Sequence, residues 1–71
     1  MSDQPTEITV LHFPDGWWGL VTAGARKGRF QYRVDAEEAA LGLAARMAKT
    51  GRAVSIFVQQ PFGELLLLKA A

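Results

Sequence analysis

Apolar and polar positions alternate along residues 8–13, with Ile8, Val10 and His12 on one side and Thr9, Leu11 and Phe13 on the other. A two-residue period rich in β-branched side chains predicts a strand. Pro14-Asp15-Gly16 follows, and each residue of that triplet favours a turn: proline presets φ, aspartate bonds its own backbone, and glycine accepts positive φ. A second strand over residues 17–23 then closes a hairpin. Within it, the adjacent Trp17 and Trp18 must emerge on opposite faces. Residues 24–28, with glycine at both ends of a basic tip, read as the next breaker. Residues 29–34 resume alternation, with Phe30, Tyr32 and Val34 on one face and Arg29, Gln31 and Arg33 on the other.

The period then changes. Ala36, Ala39, Ala40, Leu43, Ala44 and Met47 form one stripe at helical spacing, which predicts a helix over about residues 36–50. Asp35 is placed to cap it, with Glu38 reaching back as in a capping box. Glu37 and Glu38 suit the positive end of the helix dipole, Lys49 suits the negative end, and Gly51 is a stop signal. A stripe made mostly of alanine lets the helix lie close to a sheet but buries little area, so the strands must supply most of the core. Two more strands follow, over residues 52–59 and 64–69, joined by the turn Gln60-Pro61-Phe62-Gly63. The expected fold is α+β: a mostly antiparallel, twisted sheet in the order β-β-β-α-β-β, with the helix on one face. Residues 1–7 are expected to form a disordered tail and residues 8–71 a single domain.

Composition narrows the picture. A chain of 71 residues has room for one core, and at this size the stability margin is thin. It has no cysteine and one histidine, which leaves no disulfide, no thiolate metal site and no histidine cluster, so no metal or cofactor is expected. Oligomerisation is the remaining way to reinforce so small a fold. An apolar share of 49% argues against disorder, and a net charge of +1 gives no global field to steer the chain toward nucleic acid or acidic membranes. The first residues lack the basic and apolar regions of a signal peptide, and no apolar run approaches a membrane span, so a cytoplasmic protein with no membrane partner is expected.

The order of landmarks resembles a known family. Trp18-Gly19-Leu20, Val34-Asp35, Glu38-Ala39 with Ala44, Ala45 and Ala48, then Gly51, Val54-Ser55-Ile56-Phe57-Val58 and Gly63 follow one another as in a family of small uncharacterised bacterial domains built from a β-sheet and one helix. The resemblance spans roughly residues 10–68. Val34-Asp35 and Pro61-Phe62-Gly63 stand where that family usually carries a threonine before the helix and an Asp-Gly or Asn-Gly turn. It implies the fold and brings no catalytic residue or ligand.

Candidate chemistry divides three ways. Catalysis needs a nucleophile with a base, paired carboxylates or a metal. Asp15, Asp35, Glu37 and Glu38 all have structural places instead, and His12 stands alone in a strand, so no enzyme is expected. Arg26, Lys27, Arg29 and Arg33 form a basic group that could press on a nucleic-acid backbone from a sheet face, with Trp17 sharing that face. Apolar excess is the third feature. One helix covers one face, which leaves Trp17, Phe57, Leu66 and Leu68 as a candidate protein-interaction surface. Coiling of the sheet into a small barrel is one way to bury both faces; pairing of two copies is another. The expected function is a small, self-associating interaction module that pairs with itself or another protein. Nucleic-acid binding is the alternative, and a small-ligand carrier with a pocket near Trp17 or Trp18 is a third reading.

Overall fold

The two strands with the cleanest apolar alternation lie side by side at the centre of the sheet. The computed structural model describes residues 6–70, in which the elements are β1 (Thr6–His12), β2 (Trp18–Thr22), β3 (Ala25–Phe30), α1 (Arg33–Ala48), β4 (Val54–Gln59) and β5 (Leu65–Ala70). They form a small α+β domain, a five-stranded sheet with one helix packed against it. The strand order is β3-β2-β1-β4-β5. Ile8 and Val10 of β1 and Val54, Ile56 and Val58 of β4 are buried beneath the helix. Leu20 of β2 joins them, and Ala36 and Ala40 complete the core from the helix side. The alternation in β1 and β4 thus selects the covered face, and the alanines let the helix approach it closely.

The sheet is mostly antiparallel, as expected, but it is mixed: one of its four pairings is parallel. β1 and β4 run parallel, in register from Thr6 opposite Val54 to Val10 opposite Val58, while the other three pairings are antiparallel. The cause is the helix, which carries the chain back across the sheet so that β4 enters beside β1 in the same direction. Among the described residues the sheet is also open, with β3 and β5 as its two edges, and does not close into a barrel.

Local boundaries moved for identifiable reasons. Of the tail expected over residues 1–7, Thr6 and Glu7 belong to β1, and residues 1–5 lie outside the described residues. β2 and β3 are joined by a two-residue turn in which Ala23 (φ 52°) and Gly24 (φ 76°) both take positive φ, so β3 begins at Ala25 rather than at residue 29. Gly28 (φ 75°) is not a breaker but the left-handed residue of a bulge, where Gly28 and Arg29 together oppose Gly19. That extra residue turns Phe30 onto the helix side opposite Trp18, where both pack against the core.

The helix starts at Arg33, and its N-cap is Tyr32, with no side-chain capping bond. Asp35 therefore lies in the first turn, where its charge suits the helix dipole, and the expected capping box does not form. Arg33 instead pairs with Glu37 one turn on, at 3.3 Å. The helix ends at Ala48, and Gly51 (φ 84°) returns its N–H to the Ala48 carbonyl at 3.0 Å, the stop expected of that glycine.

Candidate interaction surface

The helix lies over β1 to β4 and does not reach β5. This leaves the leucine strand at an edge with both of its faces uncovered. Val58 is buried, so its partner Leu66 emerges on the helix side, beyond the helix. Leu65 and Leu67, opposite Gln59 and Phe57, emerge on the open side, and Leu68 is the extra residue of a second bulge. The four leucines are 53%, 58%, 51% and 42% exposed in chain order. Side chains of this size seldom stay in water as a contiguous group, and an apolar edge strand also offers unpaired backbone groups to another chain.

The expected grouping of Trp17, Phe57, Leu66 and Leu68 is only partly assembled. Phe57 shares its face with Leu67, because register and the bulge, rather than simple even and odd counting, decide which leucines go with it. Trp17 lies beside β2 and β3, across β1 from the leucine strand, and is half-buried. The Arg29 guanidinium sits 4.3 Å from its ring centroid.

The basic group is dispersed as well. Arg26 covers the Phe13 ring at 3.8 Å and reaches Asp15 at 3.5 Å. Lys27, opposite the buried Leu20, faces the helix side, and Arg33 has left the strand for the helix. The single basic strand face expected of Arg29 and Arg33 is therefore not formed. Packing of Phe13 and Arg26 also accounts for Gly19, since a Cβ there would stand 3.0 Å from the Phe13 ring and 3.1 Å from Arg26 Nε.

Asp15 ties this corner together. Its carboxylate accepts the Trp17 backbone N–H at 3.0 Å, and that bond, then the Arg26 charge, holds its carboxyl below the ordinary value of 3.8. A depressed folded pKa means that the contribution of Asp15 is present above the unfolded value and is lost as pH falls through the folded one. Asp15→Asn is expected to flatten the acid side of the pH profile of melting temperature below pH ~4. An unaltered profile in circular-dichroism melts would show that Asp15 carries no such linkage.

Among the described residues, recesses adjoin the sheet at two places. One, of about 300 Å³, is lined by His12, Trp18, Arg33, Gln59, Gln60 and Pro61. His12 stacks on Trp18 with ring centroids 4.7 Å apart, and its backbone N–H donates to Gln59 Oε1 at 2.8 Å. Gln60 donates to the Val58 carbonyl, and Arg33 is held by Glu37. Some polar groups of this recess are thus engaged within the fold, at His12 N, Gln59 Oε1, Gln60 Nε2 and Arg33 Nε. The other, of about 780 Å³, is broad and shallow, between Thr22, Lys27, Met47 and Arg52. Among the described residues, no group of three His, Cys, Asp or Glu side chains could hold a metal ion, and no helix is long and apolar enough to cross a membrane.

Sequence reasoning found the leucines but not their setting. The signal that marks them, four consecutive leucines in a strand that the helix does not reach, requires the strand order. No protein family, curated protein or solved structure matches this chain.

Proposed function

We propose that the protein is a non-enzymatic interaction module that self-associates through β5 and the adjoining open face around Phe57. The observation that carries this reading is the exposure of Leu65, Leu66, Leu67 and Leu68 on an edge strand outside the reach of the helix. Burying an apolar side chain of this kind contributes roughly 1.5–3 kcal/mol when complete, and a partner is the means of completing it. A domain this small, without disulfides, gains proportionately from such an interface. The proposed setting is the cytoplasm, in keeping with a chain that has no cysteine.

Static light scattering on the intact chain and on Leu67→Lys tests the reading. The native chain is expected to exceed the monomer mass of 7.8 kDa, and the variant to fall back to it while keeping its far-ultraviolet dichroism. Leu67 is half-exposed, so lysine there is tolerated by the isolated fold. Equal masses for the two proteins would overturn the proposal.

A further inference from the structure

The segment from Glu64 to Lys69 reads acid, four leucines, base. Laid antiparallel against a second copy of itself, it sets acid opposite base at both ends and leucine opposite leucine between them. Such a pairing has a twofold axis perpendicular to the sheet, so residues that meet across it must project from the same face. In a regular strand Glu64 and Lys69, five positions apart, project from opposite faces and fail this condition. The bulge removes the conflict. Lys69 is opposite the buried Ile56 and so lies on the helix side. Glu64 closes the hairpin opposite Gln60, whose N–H donates to its carbonyl at 2.6 Å, two residues beyond Val58 and therefore also on the helix side. Leu66 lies on that side between them. With Leu68 taken up by the bulge, Glu64 and Lys69 stand equally far from Leu66 along the pleat.

We infer that two copies pair antiparallel along β5 about a twofold axis at Leu66. The result is one continuous sheet with both helices on the same face. Leu66 meets its own counterpart. Leu65 meets Leu67 of the other copy beside the bulge, and Glu64 meets Lys69 at either end. Both uncovered faces of β5 are engaged, because the counterpart strand brings leucines to each. The backbone groups of the edge gain partners in the same step. Self-complementarity in both charge and face is what selects a second copy over an unrelated strand. The interface is small by the standard of stable complexes, which sets the expected dissociation constant on the order of micromolar.

This inference rests on the self-association proposed above, and one experiment separates the two. The chain contains no cysteine, so a single introduced thiol reports only on itself. Directly opposed antiparallel residues have Cα atoms about 4.5–5.5 Å apart, within the roughly 4.4–6.8 Å that a disulfide spans. Leu66→Cys, Leu67→Cys and Phe62→Cys would each be oxidised with glutathione disulfide and followed on non-reducing gels, beside sedimentation of the same samples reduced. Phe62 is 92% exposed on the turn and sets the collisional rate. Leu66→Cys is expected to cross-link at least about tenfold faster than Phe62→Cys, and Leu67→Cys at an intermediate rate or slower. Dimers in which Leu67→Cys links faster than Leu66→Cys would mean that the open faces pack together, which overturns the edge pairing while self-association stands. Monomers throughout would overturn both. Independently, Glu64→Lys is expected to weaken the dimer about tenfold, and adding Lys69→Glu to restore it; failure of the double variant to recover would contradict the proposed register.

Discussion

Replacing Ile56 by alanine is expected to remove about half of the stability of the domain. Ile56 is fully buried at the centre of β4, among Ile8, Val10 and Val58 and beneath the alanine face of the helix. Removing a buried isoleucine to alanine costs about 2–5 kcal/mol, and the cost is greatest where the surroundings cannot collapse into the space. Here the neighbours are held by the sheet on one side and by Ala36 and Ala40 on the other, and alanines have no rotamers with which to fill a gap. A domain of this length has about 4–10 kcal/mol in total. Urea unfolding followed by tryptophan fluorescence should show the midpoint falling by about half. Val34→Ala, at a position 57% exposed, should stay within about 0.5 kcal/mol of the parent. Similar midpoints for the two variants would mean that the core does not lie between β4 and the helix.

The second large effect belongs to Gly28. Placing a Cβ there costs twice over. The backbone has φ 75°, and an L residue in the left-handed region loses roughly 1–2 kcal/mol. A Cβ would also stand 2.5 Å and 2.8 Å from two atoms of the Phe30 ring, so the ring must leave its place against the core. Forcing extra atoms into packed side chains adds about 1–3 kcal/mol. Gly24→Ala isolates the first cost, because Gly24 has a similar φ of 76° with open space around it. Gly28→Ala is therefore expected to be clearly more destabilising than Gly24→Ala in the same urea series. Equal costs would show that Phe30 gives way freely and that the bulge does not seat it.

Much of the fold was legible in the sequence where a period alone determines the answer. The helical stripe from Ala36 to Met47 is the face that packs on the sheet, because 3.6-residue spacing can be satisfied in one way. The alternation of β1 and β4 likewise identified Ile8, Val10, Val54, Ile56 and Val58 as one side of the sheet. Alternation does not encode which strand lies alongside, so the parallel β1–β4 pair could not be read from it. The bulges were hidden for a related reason. A glycine with positive φ looks the same in a loop and in a strand, so Gly28 read as a breaker and Arg33 was assigned to the wrong element. Ala23-Gly24 carries only half of the usual Asn-Gly turn signal, which pushed β3 four residues too late. At the candidate surface, the run of leucines was visible, but its exposure depends on strand order and on the width of the helix. Asp35 misled because an acid in the first helical turn suits the helix dipole as a capping acid does, and the helix begins two residues earlier, at Arg33.

The proposed self-association rests on the leucines of β5, which are exposed on an edge strand that the helix of the same chain does not reach. Sedimentation equilibrium of the unmodified chain, from low to high micromolar concentration, is the most direct test of that account. The expected result is an average mass that climbs from 7.8 kDa toward twice that value as concentration rises. A mass that stays at 7.8 kDa across the whole range would contradict it.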